Sequence, residues 1–284
     1  MAKTSSAVLI TGCSTGIGRA TAQHLATKGH TVYATARKID AIADLEGRNL
    51  KVLALDVTDE ASMQAAVDTV VAAEGAVGAL VNNAGYSQSG AVETTEMDAL
   101  RRQFETNVFG LVRMCQLVLP GMRDQGRGRI VNISSMGANF TFPGGGAYHG
   151  TKYAVEALSD ALRFEVKGFG VDVVIIQPGA IKTDFDKTAA ASLADAPSAD
   201  GPYAAFNARV GQLTQEVYEK GILKVLGGGP DRVAKSIERA ITAKRPKLRY
   251  RVTPSAHLLI GQRRVMTDRM WDGFVSTQYP RPGA

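Results

Sequence analysis

The sequence has 284 residues, of which 45% are hydrophobic and 21% charged, with 30 glycines, 10 prolines and two widely separated cysteines. This composition predicts one folded, cytoplasmic domain and argues against a disordered chain. The two cysteines support neither a disulfide framework nor a metal site, and no apolar run approaches the ~18 residues of a membrane span. The net charge is +6, and residues 231–284 account for it, because they hold twelve Lys or Arg against four Asp or Glu. No nucleic-acid motif accompanies this segment. It therefore predicts a solvated basic surface, or else a face for acidic partners or a membrane.

Short β-branched runs alternate with helix-spaced apolar positions along most of the chain. The runs that predict strands are Ala7–Ile10, Thr31–Thr35, Leu50–Asp56, Ala79–Asn82, Gly128–Ser134, Val171–Gln177 and, near the C-terminus, Lys247–Val252. The stretches that predict helices are Ile17–Lys28, Glu60–Ala73, Met97–Met122 and Ala147–Lys167. Such alternation favours right-handed βαβ crossovers. The sequence therefore predicts an α/β fold: residues 1–284 form a single Rossmann-type doubly wound domain, with a mostly parallel seven-stranded sheet and helices on both faces.

The alternation breaks after Gln177. Residues 184–229 are predicted to form a long insert, which either covers a substrate pocket as a lid or packs on the core. Its apolar side chains recur at three- and four-residue steps, which predicts one helical face. They are Tyr203, Phe206, Val210, Leu213 and Val217. Asp231 is predicted to cap a helix that runs through Ala243, and residues 253–284 form a C-terminal extension.

A glycine-rich turn, TGCSTGIG at residues 11–18, joins the first predicted strand to the first helix. Glycines let the backbone turn tightly and approach a phosphate, and the amides of a helix N-terminus favour its negative charge. The spacing is GxxxGxG rather than the common GxGxxG. In this position we interpret the segment as a nucleotide-binding turn; an ordinary strand-to-helix turn is the alternative.

The end of the second strand distinguishes two cofactors. Folds that select NAD place an acid there to hold the ribose 2′-hydroxyl, whereas this chain has Arg37 and Lys38. A guanidinium favours a 2′-phosphate by its charge and by paired hydrogen bonds. The sequence therefore favours NADP(H) over NAD(H), with an exposed basic loop as the alternative.

Two further strand ends carry polar or small residues. Asp56, followed by Val57, either meets an adenine amino group or caps the next helix. The NNAG segment at residues 82–85 follows the fourth strand. Its small residues permit close backbone approach, and its asparagines can tie adjacent strands together. After a buried strand we expect it to border the nucleotide.

The segment YHGTK at residues 148–152 carries the predicted chemistry. Tyr148 and Lys152 are four residues apart and share one helical face. A free phenol has a pKa of ~10, and a neighbouring ammonium favours the phenolate and brings that pKa towards neutrality. Ser135 follows a strand thirteen residues earlier, at the sheet edge where ligands bind. His149 points elsewhere on the helix, so a structural or pocket-rim role is expected.

Four ordered motifs, TGCSTGIG, NNAG, IVNISS before YHGTK, and QPGAIKT, resemble the short-chain dehydrogenase/reductase family over residues 5–185. The resemblance implies that Ser135 orients and polarises the substrate oxygen and that Tyr148 donates or accepts the proton. It further implies that Lys152 binds the nicotinamide ribose and lowers the tyrosine pKa, and that Asn107 holds a water in a proton relay. The cofactor contacts that it implies are Gly12, Ser14, Thr15, Gly16, Ile17, Gly18, Arg37, Asp56, Val57, Asn83, Ala84, Gly85, Tyr148, Lys152, Pro178, Gly179, Ile181 and Thr183.

Within the family, the chain looks most like the branch that contains 17-beta-hydroxysteroid and retinol dehydrogenases. That likeness implies NADP(H)-dependent interconversion of a carbonyl and an alcohol on a steroid-, retinoid- or aromatic-like substrate. The aromatic residues expected to line its pocket, if they are not simply core, are Phe140, Phe142, Phe185, Tyr203 and Phe206.

Other interpretations remain open. They are a 3-oxoacyl thioester or sugar reductase, a non-catalytic NADP(H) sensor, and a membrane-surface or scaffold protein that uses the basic tail. The family resemblance also implies a homodimer or homotetramer, with the helices near Met97–Met122 and Ala147–Lys167 as candidate interfaces.

Overall fold

One sheet of seven parallel strands runs through the computed structural model, which describes residues 4–183, 185, 189, 201–219 and 225–283. The strands are β1 (Val8–Ile10), β2 (Val32–Ala36), β3 (Leu50–Ala54), β4 (Ala79–Asn82), β5 (Gly128–Ile133), β6 (Val171–Gln177) and β7 (Arg249–Arg251). Their order is β3-β2-β1-β4-β5-β6-β7. The order reverses between β1 and β4, and a crevice for ligands opens at such a reversal, beyond the carboxyl ends of the strands.

Helices cover both faces of the sheet. They are α1 (Gly16–Thr27), α2 (Glu60–Glu74), α3 (Met97–Phe104), α4 (Gly110–Asp124), α5 (Gly146–Glu165), α6 (Ala204–Glu219), α7 (Pro230–Thr242), α8 (Pro254–Val265) and α9 (Asp268–Ser276). Apolar residues of α1 and α7 pack on one face, and those of α2, α4 and α5 pack on the other. The predicted doubly wound α/β fold with a seven-stranded sheet is confirmed, and most predicted boundaries are displaced by one or two residues.

The segment predicted as the single helix Met97–Met122 is interrupted. A π-helical turn, Glu105–Phe109, separates α3 from α4. Glu105–Phe109 carries Asn107, which is 1% exposed. The prediction of one regular helix was wrong because apolar spacing does not register the extra residue of a π turn.

The C-terminal part differs from the prediction at the start of α7. Gly229 occupies the N-cap position and Pro230 begins the helix, so Asp231 lies in the first turn and does not cap it. Proline is favoured in a first turn because its missing N–H would have no helical partner there. The prediction that Asp231 is the cap was therefore wrong.

Residues beyond β7 form two helices that pack back on the domain. Trp271 of α9 lies 5.4 Å, between ring centroids, from Phe140, and its Nε1 donates to the Thr141 carbonyl at 3.1 Å. In the predicted insert, α6 packs Phe206 and Val210 against Ala91. Besides α6, the structure describes residues 185, 189, 201–203 and 225–229 of the predicted insert; its other residues lie outside the described part of the chain. The side chain of Val217 is also outside it. None of the helices among the described residues is long and apolar enough to cross a membrane.

Candidate active site

A cavity of about 950 Å³ opens where the carboxyl ends of β1, β4 and β5 meet. Nearly all of the sequence-predicted site residues line it. They are Gly12, Ser14, Thr15, Gly16, Ile17, Arg37, Asp56, Val57, Asn83, Ala84, Gly85, Ser135, Tyr148, Lys152, Pro178, Gly179, Ile181 and Thr183. Gly18 and Asn107 do not line this cavity; both lie behind its wall.

The glycine-rich turn forms the floor of the cavity. Gly12 and Gly16 have φ values of +72° and +57°, a backbone conformation that favours glycine. A Cβ at Gly12 would lie 2.8 Å from the Cα of Ala84. The Asn83 amide donates to the carbonyls of Thr11 at 3.0 Å and Gly12 at 2.8 Å. The NNAG segment therefore holds the turn in place, as the asparagines of that motif suggested.

We expect Gly18→Ala to destabilise this turn, because the new Cβ would overlap the Gly12 carbonyl oxygen and lie 2.5 Å from Asn83 Nδ2. Overpacking of this kind lowers the free energy of unfolding by about 1–3 kcal/mol. Chemical denaturation measures this loss, and NADPH titration measures the accompanying loss of affinity. The matched control is Gly261→Ala in α8, where a Cβ meets no atom within 4 Å. There we expect a gain of about 0.5–1 kcal/mol. Equal stability of the two variants would contradict the role of Gly18.

Polar groups lie at the far end of the turn, beyond β2 and β3. Arg37 is exposed and borders the cavity, whereas Lys38 does not line it. Asp56 Oδ1 accepts hydrogen bonds from the backbone N and the Oγ1 of Thr58 at 2.9 and 2.8 Å. Asp59, not Asp56, caps α2 by accepting from Ser62 N at 3.1 Å. The interpretation of Asp56 as a helix cap is excluded, and its carboxylate stays at the cavity edge.

Ser135, Tyr148 and Lys152 converge at the other end of the cavity. Ser135 Oγ accepts a hydrogen bond from Gly137 N at 3.0 Å. The Lys152 ammonium donates to the Ile133 carbonyl at 2.8 Å and lies 5.7 Å from the Tyr148 ring centroid. Burial lowers the pKa of Lys152 to about 8. A positive charge next to a phenol favours its ionised form, so the arrangement suits proton transfer near neutrality.

Asn107 lies behind this group and organises the backbone. Its Nδ2 donates to the Tyr86 carbonyl at 3.0 Å and to Thr151 Oγ1 at 3.1 Å, and its Oδ1 accepts from Tyr86 N at 3.1 Å. These bonds join the π turn to the loop after β4 and to α5. In the described contacts, both ends of the Asn107 amide are therefore engaged by protein atoms.

Aromatic side chains line the cavity next to Tyr148. The Phe185 ring centroid lies 5.3 Å from that of Tyr148, and Phe140 and Phe142 follow along the wall. His149 also lines it, which agrees with the expected pocket-rim position. Tyr203 and Phe206 pack elsewhere, against Ala91 and Tyr279, so the expectation that they line this pocket is not met.

Several lining residues were not singled out from the sequence. Tyr86 directly follows NNAG, so its place after that motif was an available signal. Arg102 and Glu105 lie close before Asn107 in the chain and also line the cavity, but no motif in the sequence marked them. The remaining unpredicted lining residues are Ala36, Leu55, Thr58, Thr106, Ile133, Ser134, Met136, Gly137 and Ala180.

The residues of the cavity fit a dinucleotide. The glycine floor leaves room where a Cβ would clash, and Ser134 Oγ is buried without a hydrogen-bond partner. The buried Lys152 ammonium has donors that one carbonyl does not use up. No group of three metal-binding side chains was found in the part of the chain that the structure describes.

Known proteins resemble this chain in sequence and fold. Residues 6–194 match the family described as short chain dehydrogenase. A 3-ketodihydrosphingosine reductase of Bacteroides thetaiotaomicron is 34% identical over 90% of this chain and 90% of its own. An NADPH-dependent 3-dehydrocapnine reductase of Ornithobacterium rhinotracheale is 32% identical over 93% and 94%. The crystal structure of a short-chain dehydrogenase from Streptomyces avermitilis is 32% identical, with a TM-score of 0.74 over 90% of this chain and 91% of that one.

Proposed function

The chain belongs to the short-chain dehydrogenase/reductase family of oxidoreductases, and from this premise we propose that it interconverts a hydrophobic ketone and its secondary alcohol with NADP(H). The observation that carries the proposal is the convergence of Ser135, Tyr148 and Lys152 on one cavity that also contains the glycine-rich turn. A protein that only senses a dinucleotide has no need of this proton-transferring group.

Each of the three side chains has a distinct role in the proposed reaction. When bound, the nicotinamide supplies or accepts the hydride. Ser135 Oγ accepts from Gly137 N, which leaves its O–H to donate to the substrate oxygen and hold it. Tyr148 gives its phenolic proton to the alkoxide in the reductive direction and accepts it in the other. Lys152 stabilises the phenolate and binds the nicotinamide ribose.

The remaining site residues hold the dinucleotide in this proposal. The turn of Gly12 and Gly16, at the N-terminus of α1, would hold the pyrophosphate, because backbone amides there favour negative charge. Asp56 accepts from the adenine amino group. Residues 178–183 border the nicotinamide. Arg37 and Ser14 bind the 2′-phosphate, which makes NADP(H) the preferred cofactor.

We expect Arg37→Ala to weaken the use of NADPH selectively. The loss of a charge-assisted bond to the 2′-phosphate lowers kcat/KM for NADPH by about tenfold to a hundredfold, whereas kcat/KM for NADH changes little. Parallel kinetics with the two cofactors measure the difference. Lys38→Ala is the matched control, because Lys38 has the same charge and does not line the cavity. Equal losses with both cofactors would refute a 2′-phosphate contact.

The substrate class rests on the aromatic wall and on the relatives. Phe140, Phe142 and Phe185 give the end of the cavity next to Tyr148 an apolar surface, which favours a hydrophobic substrate. The names of two relatives specify reductases of 3-ketodihydrosphingosine and 3-dehydrocapnine.

A ketone panel tests the proposal. It contains 2-decanone, acetophenone, a steroid ketone, 3-ketodihydrosphingosine and, for the thioester alternative, acetoacetyl-CoA, each followed by NADPH absorbance with NADH in parallel. We expect turnover of at least one hydrophobic ketone, with NADPH preferred. Turnover of acetoacetyl-CoA alone would favour the 3-oxoacyl thioester reductase, and NADPH binding without turnover of any member would favour the sensor.

A further inference from the structure

His149 is a buried side chain next to Tyr148 to which the proposed reaction assigns no role. Its Nδ1 lies 2.6 Å from the Gly137 carbonyl oxygen. A carbonyl can only accept a hydrogen bond, so Nδ1 must carry the proton and donate it. Burial lowers the pKa of His149 and favours the neutral ring, while the backbone carbonyls of Gly137 and Phe140 act in the opposite direction with smaller effect. The short contact with the Gly137 carbonyl therefore favours the tautomer that is protonated at Nδ1.

Gly137 forms hydrogen bonds with both His149 and Ser135. The N–H of Gly137 donates to Ser135 Oγ at 3.0 Å, while its carbonyl accepts from His149. Two hydrogen bonds thus connect α5, which carries Tyr148, to Ser135. The first joins the His149 ring to the Gly137 carbonyl, and the second joins the Gly137 N–H to Ser135 Oγ. The two side chains that must meet one substrate oxygen are linked through the residue that follows Tyr148 in sequence.

The surroundings of His149 leave its ring little freedom. A Cβ at Gly137 would lie 2.5 Å from ring atoms on one side, and a Cβ at Gly145 would lie 2.6 Å from Cδ2 on another. Phe142 lies edge-on, with ring centroids 6.4 Å apart. A ring enclosed in this way keeps its rotamer, and the hydrogen bond from Nδ1 therefore has a fixed direction.

We propose that His149 is a positioning residue that sets the Ser135 hydroxyl relative to Tyr148 by holding the Gly137 peptide. The proposal rests on the proposed function, because it assigns His149 an effect through Ser135. By accepting from Gly137 N, Ser135 Oγ directs its own proton towards the cavity. Without His149, the Gly137 carbonyl loses its donor, and only backbone bonds such as Met136 N to the Pro178 carbonyl at 2.8 Å still hold the turn. We expect the direction of the Ser135 hydroxyl to shift as a result.

Three substitutions test the proposal with the ketone of the panel that the wild-type enzyme reduces fastest. His149→Leu keeps the bulk and removes the donor, and we expect kcat to fall by about tenfold to a hundredfold, the size of effect that a small misplacement produces. His149→Asn places an amide N–H near the position of Nδ1 and restores most of kcat. Gly145→Ala displaces the ring from the side away from Ser135 and lowers kcat as well. NADPH affinity, measured by titration, stays unchanged in all three.

A double variant separates positioning from a merely structural role. If His149 acts through Ser135, then His149→Leu has no further effect in a Ser135→Ala enzyme. The proposal would be overturned if the double variant lost kcat by the product of the two separate fold-losses, or if His149→Asn did not restore kcat.

The tautomer of His149 can be measured without substrate, from the nitrogen NMR spectrum of the protein with labelled histidines. We expect the spectrum to show His149 protonated at Nδ1. Protonation at Nε2 alone would contradict the hydrogen bond from Nδ1 to the Gly137 carbonyl. Failure of the proposed function is distinguishable: the wild-type protein would then reduce no ketone of the panel, or Tyr148→Phe would retain turnover, whereas the protonation of His149 at Nδ1 would still be observed.

Discussion

Replacing Tyr148 by phenylalanine is expected to abolish most turnover while leaving NADPH binding in place. The substitution removes only the hydroxyl that exchanges the proton, and general acid–base catalysis contributes about 10²–10⁴-fold in rate. The ring and its edge-on contact with Phe185, at 5.3 Å between centroids, remain. NADPH absorbance measures kcat on the best panel ketone, and NADPH fluorescence titration measures affinity.

Tyr153→Phe is the matched control for this variant. Tyr153 lies on the same helix, is 45% exposed and does not line the cavity. We expect its removal to leave kcat unchanged. If Tyr148→Phe retains turnover close to that of this control, Tyr148 is not the proton donor and the proposed chemistry is wrong.

Replacing Lys152 by methionine is expected to impair catalysis and to stabilise the cofactor-free protein. The ammonium is lost from beside the phenol, so we expect kcat to fall by about 10²–10⁴-fold. We expect NADPH affinity to fall as well, because the substitution removes the proposed contact with the ribose. Kinetics and NADPH titration measure the two losses.

The stability effect follows from the burial of Lys152. Its pKa is about 8 in the folded protein, against 10.5 for an unperturbed lysine. Below pH 8 the lysine is charged in both states, and the folded state carries a desolvation cost of about 3 kcal/mol. Between pH 8 and 10.5 the unfolded chain binds more protons, so wild-type stability rises with pH.

Methionine has no charge to desolvate, but it leaves the Ile133 carbonyl without its donor, which costs about 1 kcal/mol. We expect the variant to be about 1–2 kcal/mol more stable at pH 7, with a difference that narrows above pH 8. Denaturant unfolding at several pH values measures this. Lys235→Met, at an exposed position of α7, is the control and should show no such pH dependence. A Lys152→Met protein that is less stable at pH 7 would show that the lysine is not held at a desolvation cost.

The sheet and the ordered motifs could be predicted because both depend on local signals. The strands from β1 to β6 are short runs rich in apolar residues, and the TGCSTGIG, NNAG and QPGAIKT motifs follow strand ends. YHGTK lies on α5, where the spacing of Tyr148 and Lys152 places both on one face. Because parallel strands end at one edge, the sequence also indicated that Ser135 lies where ligands bind, and the family resemblance implied that Gly12 and Thr183 contact the same cofactor.

The features that could not be predicted depend on contacts between distant residues. The π turn at Asn107 is held by hydrogen bonds to Tyr86, 21 residues away. Tyr203 and Phe206 pack against Tyr279 of the C-terminal segment rather than in the cavity, which no periodicity in α6 reveals. The close packing of the His149 ring against Gly137 and Gly145 was not predicted either, because neither glycine belongs to a motif that predicts this contact. The homodimer or homotetramer, the lid and the preference for NADP(H) stay predictions.

Trp271 is the only tryptophan in the sequence, and α9 places its ring 5.8 Å, between centroids, from that of Phe142 in the cavity wall. The chain therefore has a single indole chromophore, in contact with the wall next to Tyr148 and away from the glycine-rich turn. The fluorescence emission of Trp271 should therefore change when a ligand displaces Phe142, so binding at this end of the cavity can be followed without attaching a label.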